Sequence, residues 1–386
     1  MGLKKEAILS ISLLTVMTSA AVAPVLSHIS AAFPNAGITI IRLTLTLPAL
    51  VAIFFNLISG ALALHVRKTL ILKTGLILYA LGGTGAALVQ NINGLLAMRA
   101  ILGMGAGLIA PLTISLIADF YEGEERVKLI GYSASVAHLA AVLMPLLAGW
   151  LAVFNWRLSF LIYLLAIGVL IFTSLFLKDP PKAQSKTKNE KSILPASVYW
   201  LSLNSFLLMM VFYIIPTSLS HFIEGQGLGG PAQAGIAISL STLATLFISL
   251  FFSQLVRILK RYIWTFGLLF LAVGFWGLSF SGRLMTVFIS VSAIGIGLGA
   301  LIPGIILTVT LKAPSNASST AIAIANSAFS LGQFLSPIFF SLAESFSSNA
   351  TIRYDYSFAA ALISLAVALS LISVLLMRDK NSVEKL

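Results

Sequence analysis

Long apolar runs, each about as long as a membrane crossing, alternate along this chain with short polar intervals. A hydrocarbon core takes about 20 apolar residues per helix. Counted against that length, the runs fall near 7–27, 41–64, 70–89, 95–118, 129–152, 158–177, 198–222, 233–256, 262–281, 284–311, 318–343 and 354–377, which predicts twelve membrane helices. One polar stretch, 178–197, is longer than the rest and opens with Lys178-Asp179-Pro180-Pro181, the composition of a solvated linker. It divides the runs six and six. The expected architecture is therefore an all-α membrane protein: one six-helix bundle over 1–177, a cytoplasmic linker over 178–197 and a second bundle over 198–386. Kinks are expected at Pro24, Pro48, Pro111, Pro145, Pro216, Pro303 and Pro337, where neighbouring helices can satisfy the freed carbonyls.

The two halves repeat each other. Gly103, Gly105, Gly107 and Pro111 reappear 192 residues later as Gly295, Gly297, Gly299 and Pro303, and Pro145 reappears as Pro337. Such duplication inside apolar runs is the mark of a transporter built from two similar helical units. Gly103 and Gly107 share one helix face, as do Gly295 and Gly299, so a neighbouring backbone can approach closely at both places. That face serves packing, and it equally suits helices that slide during rocking.

Composition agrees: 59% of the 386 residues are apolar and 9% charged, against about 25% charged in an ordinary soluble domain. The net charge of +12 sits in short clusters between the runs, and no basic face is interleaved with exposed aromatics, so nucleic acid is not an expected partner. With both termini cytoplasmic, 19 of the 24 basic residues fall on the cytoplasmic side, which orients the chain and requires an even number of spans. The first run is read as a span and not as a signal peptide, because removing it would break that charge pattern. No cysteine is present, which excludes disulfides, thiol catalysis and Cys-ligated metal.

Ionisable groups within membrane runs are functional candidates, because burying them is costly. Arg99, in the fourth run, is either a working residue or a scaffold bonded to helix carbonyls. Arg42, a few residues into the second run, is expected to snorkel outward. His138 lies about nine residues into the fifth run and can change charge near neutral pH, as a proton site or as cavity lining. All twelve acidic residues are expected in loops or near span ends, leaving no carboxylate at mid-membrane. Asn204, Tyr213, Asn326 and Gln333 are the expected polar lining of an otherwise apolar substrate cavity.

These residues resemble the major facilitator superfamily over essentially the whole chain, and within it the twelve-span drug:proton antiporter-like branch. Gly60-Ala61-Leu62-Ala63-Leu64-His65-Val66-Arg67-Lys68 is similar to that family's loop after the second span, with Leu64 where the family carries an acid. Arg99 followed by Gly103, Gly105 and Gly107 matches its fourth-span pattern, and Asp119 to Arg126 resembles its next loop. Met144-Pro145 with Ala148-Gly149 is a weakened form of its fifth-span antiporter motif, followed by a family-like Trp156-Arg157 and Phe160. The resemblance implies a cytoplasmic gate at Gly60, Arg67, Lys68, Asp119 and Arg126. It implies for Arg99 a role in proton coupling or in shaping the cavity. Because Leu64 cannot accept the latch hydrogen bonds, the resting protein is expected to populate an inward-open state.

The expected function is secondary transport of a small amphiphilic molecule by alternating access, as proton-coupled export. The alternative is uptake or exchange of an organic anion anchored by Arg99. A third class, an intramembrane enzyme or assembly factor, is disfavoured because the runs hold no paired acids, metal-ligand cluster or Ser/His/Asp set. The expected partners are the lipid bilayer of a bacterial cytoplasmic membrane, a small-molecule substrate and protons. A monomer without cofactor or metal is expected.

Overall fold

The computed structural model describes residues 2–177, 179, 194–314, 318–347 and 351–383, and these contain helices without strands. Most of the expected linker, with Lys178, Lys182, Lys186, Lys188 and Lys191, lies outside the described residues.

The first apolar run is broken. Helix α1 (Gly2–Thr15) gives way to turns, then to a 3-10 turn at Ala23–Val25 and to α2 (Leu26–Ala32). Helices α3 (Ile38–Leu62), α4 (Lys68–Gly85), α5 (Ile92–Phe120) and α6 (Gly123–Phe154) follow, and a 3-10 segment Trp156–Leu164 leads into α7 (Leu165–Phe176). In the second half α8 (Ala196–Phe212) and α9 (Ile214–Gly225) form one span. Then come α10 (Pro231–Leu250), a short α11 (Phe252–Leu259), α12 (Ile263–Phe280), α13 (Leu284–Lys312), α14 (Ser318–Ser345) and α15 (Ile352–Val383).

Ten of the helical segments are long and apolar enough to cross a bilayer unaided. The other two expected spans fall short for visible reasons: the first is interrupted, and α4 has only 18 residues, Lys68 and Lys73 among them. Local signals set the boundaries. Asn91 caps α5 by accepting from the Gly94 amide at 2.7 Å, and Gln233 reaches back to the Gly230 amide at 2.9 Å to start α10 behind Pro231.

The glycine pairs act inside each half. A Cβ on Gly103 would stand 2.8 Å from the Pro48 carbonyl oxygen and one on Gly107 2.7 Å from that of Ala52, both on α3. Gly105, between them, faces Gly75 and Tyr79 of α4. Gly295 and Gly299 meet Ser241 and Thr245 of α10 in the same way, while Gly297 meets α12. Three-way backbone contact therefore knits α3, α4 and α5, and equally α10, α12 and α13.

Contacts between the halves follow the repeat as well. Helix α6 packs on α10, and its equivalent α14 packs on α3. Gly149 and Gly235 allow the first contact: a Cβ on Gly149 would lie 3.2 Å from the Gly235 Cα, and one on Gly235 3.3 Å from the Gly149 Cα. Pro145 presents its carbonyl to Gly235 there, and Pro337 is buried at the matching place in α14.

Candidate transport site

The break in the first run lies mid-span and is held open by side chains. Turns through residues 16–22 leave the Thr18 carbonyl without a helical partner, and both Arg99 Nη2 and the Tyr163 hydroxyl donate to it, the latter at 2.8 Å. Arg99 Nη1 donates to Tyr163 Oη at 2.9 Å and its Nε to the Thr44 carbonyl at 2.7 Å. The Tyr79 hydroxyl donates to the Leu14 carbonyl at 3.0 Å, and the Tyr79 and Tyr163 rings meet edge to face. Arg99 is wholly buried. In place of a ligand it holds backbone oxygens that lipid could not satisfy.

Interrupted helices at mid-membrane recur where transporters hold substrates. The second half carries its own interruption at the equivalent place: Tyr213 separates α8 from α9, with Pro216 exactly as far from Pro24 as the glycine repeats are apart. The Tyr213 hydroxyl approaches Ser19 Oγ at 3.5 Å, so the two breaks touch across the halves. The repeated proline pair Pro24/Pro216 was the sequence signal for this site.

At the end remote from the N-terminus, here the distal end, the halves are locked. Arg42 of α3 donates from Nη1 to Glu344 Oε1 of α14 at 2.9 Å and from Nη2 to Asp355 Oδ2 of α15 at 3.2 Å. Arg42 is 2% exposed, Asp355 fully buried and Glu344 22% exposed. One sequence expectation is corrected here. Arg42 does not snorkel, because its guanidinium finds two carboxylates inside the protein. Asp355 and Glu344 stand near span ends as expected, and both meet Arg42 of the opposite half. Around them the Thr39 hydroxyl donates to Ser341 Oγ at 2.9 Å, the Ser27 amide donates to Ser220 Oγ at 3.2 Å, and His28 Nδ1 lies 3.1 Å from Glu224 Oε1. His221, buried nearby, has neither ring nitrogen bonded among the described residues. The sequence reading passed over His28 and His221 and counted Glu224 only among the span-end acids; span counting alone would have put them on one side with Arg42, Glu344 and Asp355.

The proximal end differs. Lys68 Nζ pairs with Asp119 Oδ2 at 2.6 Å and donates to Ser115 Oγ, and Arg67 reaches Asp179 at 3.8 Å. Lys5 pairs with Glu125, whose carboxylate holds the Lys5 ammonium above its ordinary range. Gly60 and Arg126 are exposed, and nothing lies within 4 Å of where a Gly60 Cβ would be. Among the described residues, no hydrogen bond or ion pair joins the two halves at this end; all such bonds lie from the midplane to the distal end. Polar bonds thus join the two halves from the midplane to the distal end.

His138 is exposed and lies four residues before Val142, whose carbonyl accepts from Ser239 of α10 at 2.7 Å. One helical turn puts it on the same face, proximal to that contact. Among the described residues no hydrogen bond joins the three amides: Asn204 donates to the Trp200 carbonyl on its own helix at 2.9 Å, while Asn326 and Gln333, on one face of α14, have no side-chain hydrogen bond. Asn204 lines a mainly apolar, partly open cavity of about 650 Å³ with Met210, Trp264, Phe275 and Ser370, formed by residues of the second half alone. No group of three or more His, Asp or Glu among the described residues could hold a metal ion.

Known proteins share this construction. Over 114 residues the chain is 28% identical to the Multidrug transporter protein MdtP of Bacillus subtilis (strain 168), covering 29% of this chain and 21% of that protein. Over 127 residues it is 32% identical to the Quinolone resistance protein NorA of Staphylococcus aureus (strain Mu50 / ATCC 700699), covering 32% of each. The match thus spans less than a third of either relative. In fold, a bacterial homologue of the human lysosomal transporter Spinster, in an inward-facing and occupied conformation, superposes with a TM-score of 0.77 at 16% identity, covering 96% of both chains. A D-xylose-proton symporter superposes with a TM-score of 0.76 at 16% identity, covering 95% of this chain and 96% of that one. The family model of the Major Facilitator Superfamily matches residues 8–337, and the chain belongs to that family.

Proposed function

We propose that this protein is a secondary active transporter, not an enzyme, which exports a small amphiphilic molecule in exchange for protons by rocking two six-helix halves about the paired breaks at Ser19 and Tyr213. The observation that carries the reading is the distribution of cross-half bonds, which among the described residues join the halves at one end of the molecule and not at the other, as a transporter facing one side would. The excess of basic residues at the proximal end supports an orientation with both termini, and so the end without cross-half bonds, facing the cytoplasm of a bacterial cell. The proximal charges Lys68, Asp119, Arg67 and Arg126 then belong to a cytoplasmic gate whose pairs bind one half to itself and do not hold the two together.

Proton-linked export of apolar compounds is supported by the two relatives named for multidrug transport and quinolone resistance, and by the apolar character of the helices around the breaks. Met210 and the aromatic residues around the second-half cavity suit varied apolar shapes. An organic anion anchored by Arg99 finds less support, because that guanidinium is buried and engaged with two carbonyls and a phenol.

The test is transport by purified monomeric protein in liposomes carrying an imposed pH gradient, with cationic, neutral and anionic fluorescent amphiphiles. Movement of cationic or neutral compounds driven by the gradient is the expected result. Transport restricted to carboxylates, or indifferent to the gradient, would replace this reading.

A further inference from the structure

The lock at the outer end joins one cation to two acids. Arg42 is the guanidinium, and Glu344 and Asp355 are its partners on two different helices of the opposite half. A lone buried Arg–Asp pair would be weakened by adding a proton. A guanidinium between two ionised carboxylates instead leaves an excess negative charge, and burying an uncompensated charge is costly. Adjacent carboxylates in such a site resolve the excess by sharing one proton.

Other charged and titratable groups stand around the lock. Arg353, on α15, donates to the carbonyls of Ser279 and Ser281 and to Gln226 Oε1. His28 and Glu224 form their own pair, His221 is a neighbour of Arg42 without a bonded partner among the described residues, and Tyr356 is a buried phenol. Residues 348–350, between α14 and α15, are Ser, Asn and Ala and add no charge.

We infer that Arg42, Glu344 and Asp355 form a proton-binding site that closes the outer gate: when the halves come together outside, one of the two carboxylates takes a proton from external water and the other remains the anion of Arg42. The bond formed is O–H on one carboxyl, the proton is supplied by the external medium, and the enclosed cluster becomes neutral. The inference rests on the alternating-access reading and gives it a direction. Acid outside drives the empty transporter from outward-open to inward-open, the return step that an exporter exchanging substrate for protons requires. Glu344, 22% exposed, is the point of entry, whereas Asp355 is reached only when the halves part.

The chain has no cysteine, so a spin-label pair can be placed without removing any. Gly37→Cys stands where a Cβ meets nothing within 4 Å, and Phe346→Cys replaces a side chain 82% exposed on the opposite half. Electron-electron distances in nanodiscs, without substrate, should show the short, closed population growing as pH falls from about 8.5 to 5.5. The closed-to-open ratio should change by up to about tenfold per pH unit, the slope of one proton. Glu344→Gln leaves one carboxylate for one guanidinium and should stay closed at every pH; Asp355→Asn serves the same purpose if the first variant melts early in detergent. The native slope should persist in the His28→Gln, His221→Gln double variant. A ratio that is flat in the native protein, that opens on acidification, that keeps its slope in both carboxamide variants or that loses it with the histidines would overturn the inference. A distance moved by added amphiphile but not by pH would remove this inference alone; one moved by neither would remove alternating access itself.

Discussion

Arg99 donates its Nε to the carbonyl of Thr44 at 2.7 Å, and the residue four positions after Thr44 is Pro48. Proline has no N–H to return to that oxygen, so the arginine of α5 completes a bond that α3 cannot make for itself. Lysine keeps the charge but not the planar fork that reaches Thr44, Thr18 and Tyr163 together. Arg99→Lys is therefore expected to lower stability by on the order of 2 kcal/mol, through buried carbonyls left unpaired, and to abolish most transport. In a Pro48→Ala background, where Thr44 regains its helical partner, the loss should be smaller. Thermal unfolding of the four proteins of this cycle measures the coupling, and strict additivity would break the link between the two residues.

Gly235→Leu should hold the molecule open at its outer end. The side chain would have to enter space occupied by the Pro145 carbonyl and Gly149, which are backbone and cannot turn aside. A folded variant with longer label distances between residues 37 and 346, and transport reduced by roughly tenfold or more, is expected; unchanged distances would mean that the α6/α10 contact does not set closure.

Tyr213→Phe removes the hydroxyl that meets Ser19 at 3.5 Å and leaves the ring. Folding should be unaffected, with substrate affinity altered several-fold, on the scale of about 1 kcal/mol for one hydrogen bond. Titration of a fluorescent amphiphile into both proteins makes the comparison, and equal affinities would move the substrate away from the breaks.

His138→Ala tests the proximal side of the α6/α10 contact. With the imidazole removed, the dependence of transport on cytoplasmic pH between about 5 and 8 should flatten, while the outer-gate distances keep their response. If the cytoplasmic profile keeps its native shape, His138 serves only as lining.

Leu64→Asp should strengthen cytoplasmic closure. Leu64 is 73% exposed at the proximal end and cannot accept a hydrogen bond. A carboxylate there gives the opposite half's helix ends an anion to bind, shifting the population outward. Labels on the cytoplasmic ends of the two halves would report shorter distances, and none if the latch depends on other residues.

The features legible in the sequence were those that repeat or that bear on solvent. Apolar runs of bilayer length and the glycine and proline offsets made the helical membrane architecture and its duplication readable, because lipid imposes both on the chain locally. The same locality explains what was missed. Arg42 looked like a residue free to reach the membrane surface, and Glu344 and Asp355 like loop acids, because nothing near them in sequence shows the partner; the ion pairs close between residues 302 and 313 positions apart. Arg99 stood out as costly, but only the folded chain identifies its acceptors, the carbonyls freed by Pro48 and by the broken first span. The amide residues Asn204, Asn326 and Gln333 were grouped by polarity, and among the described residues no hydrogen bond joins them. Composition determines that a segment enters the membrane, since transfer free energy sums along the chain. Which buried charge meets which is decided by how the two halves dock, since electrostatic pairing acts over a few ångströms in space whatever the separation in sequence.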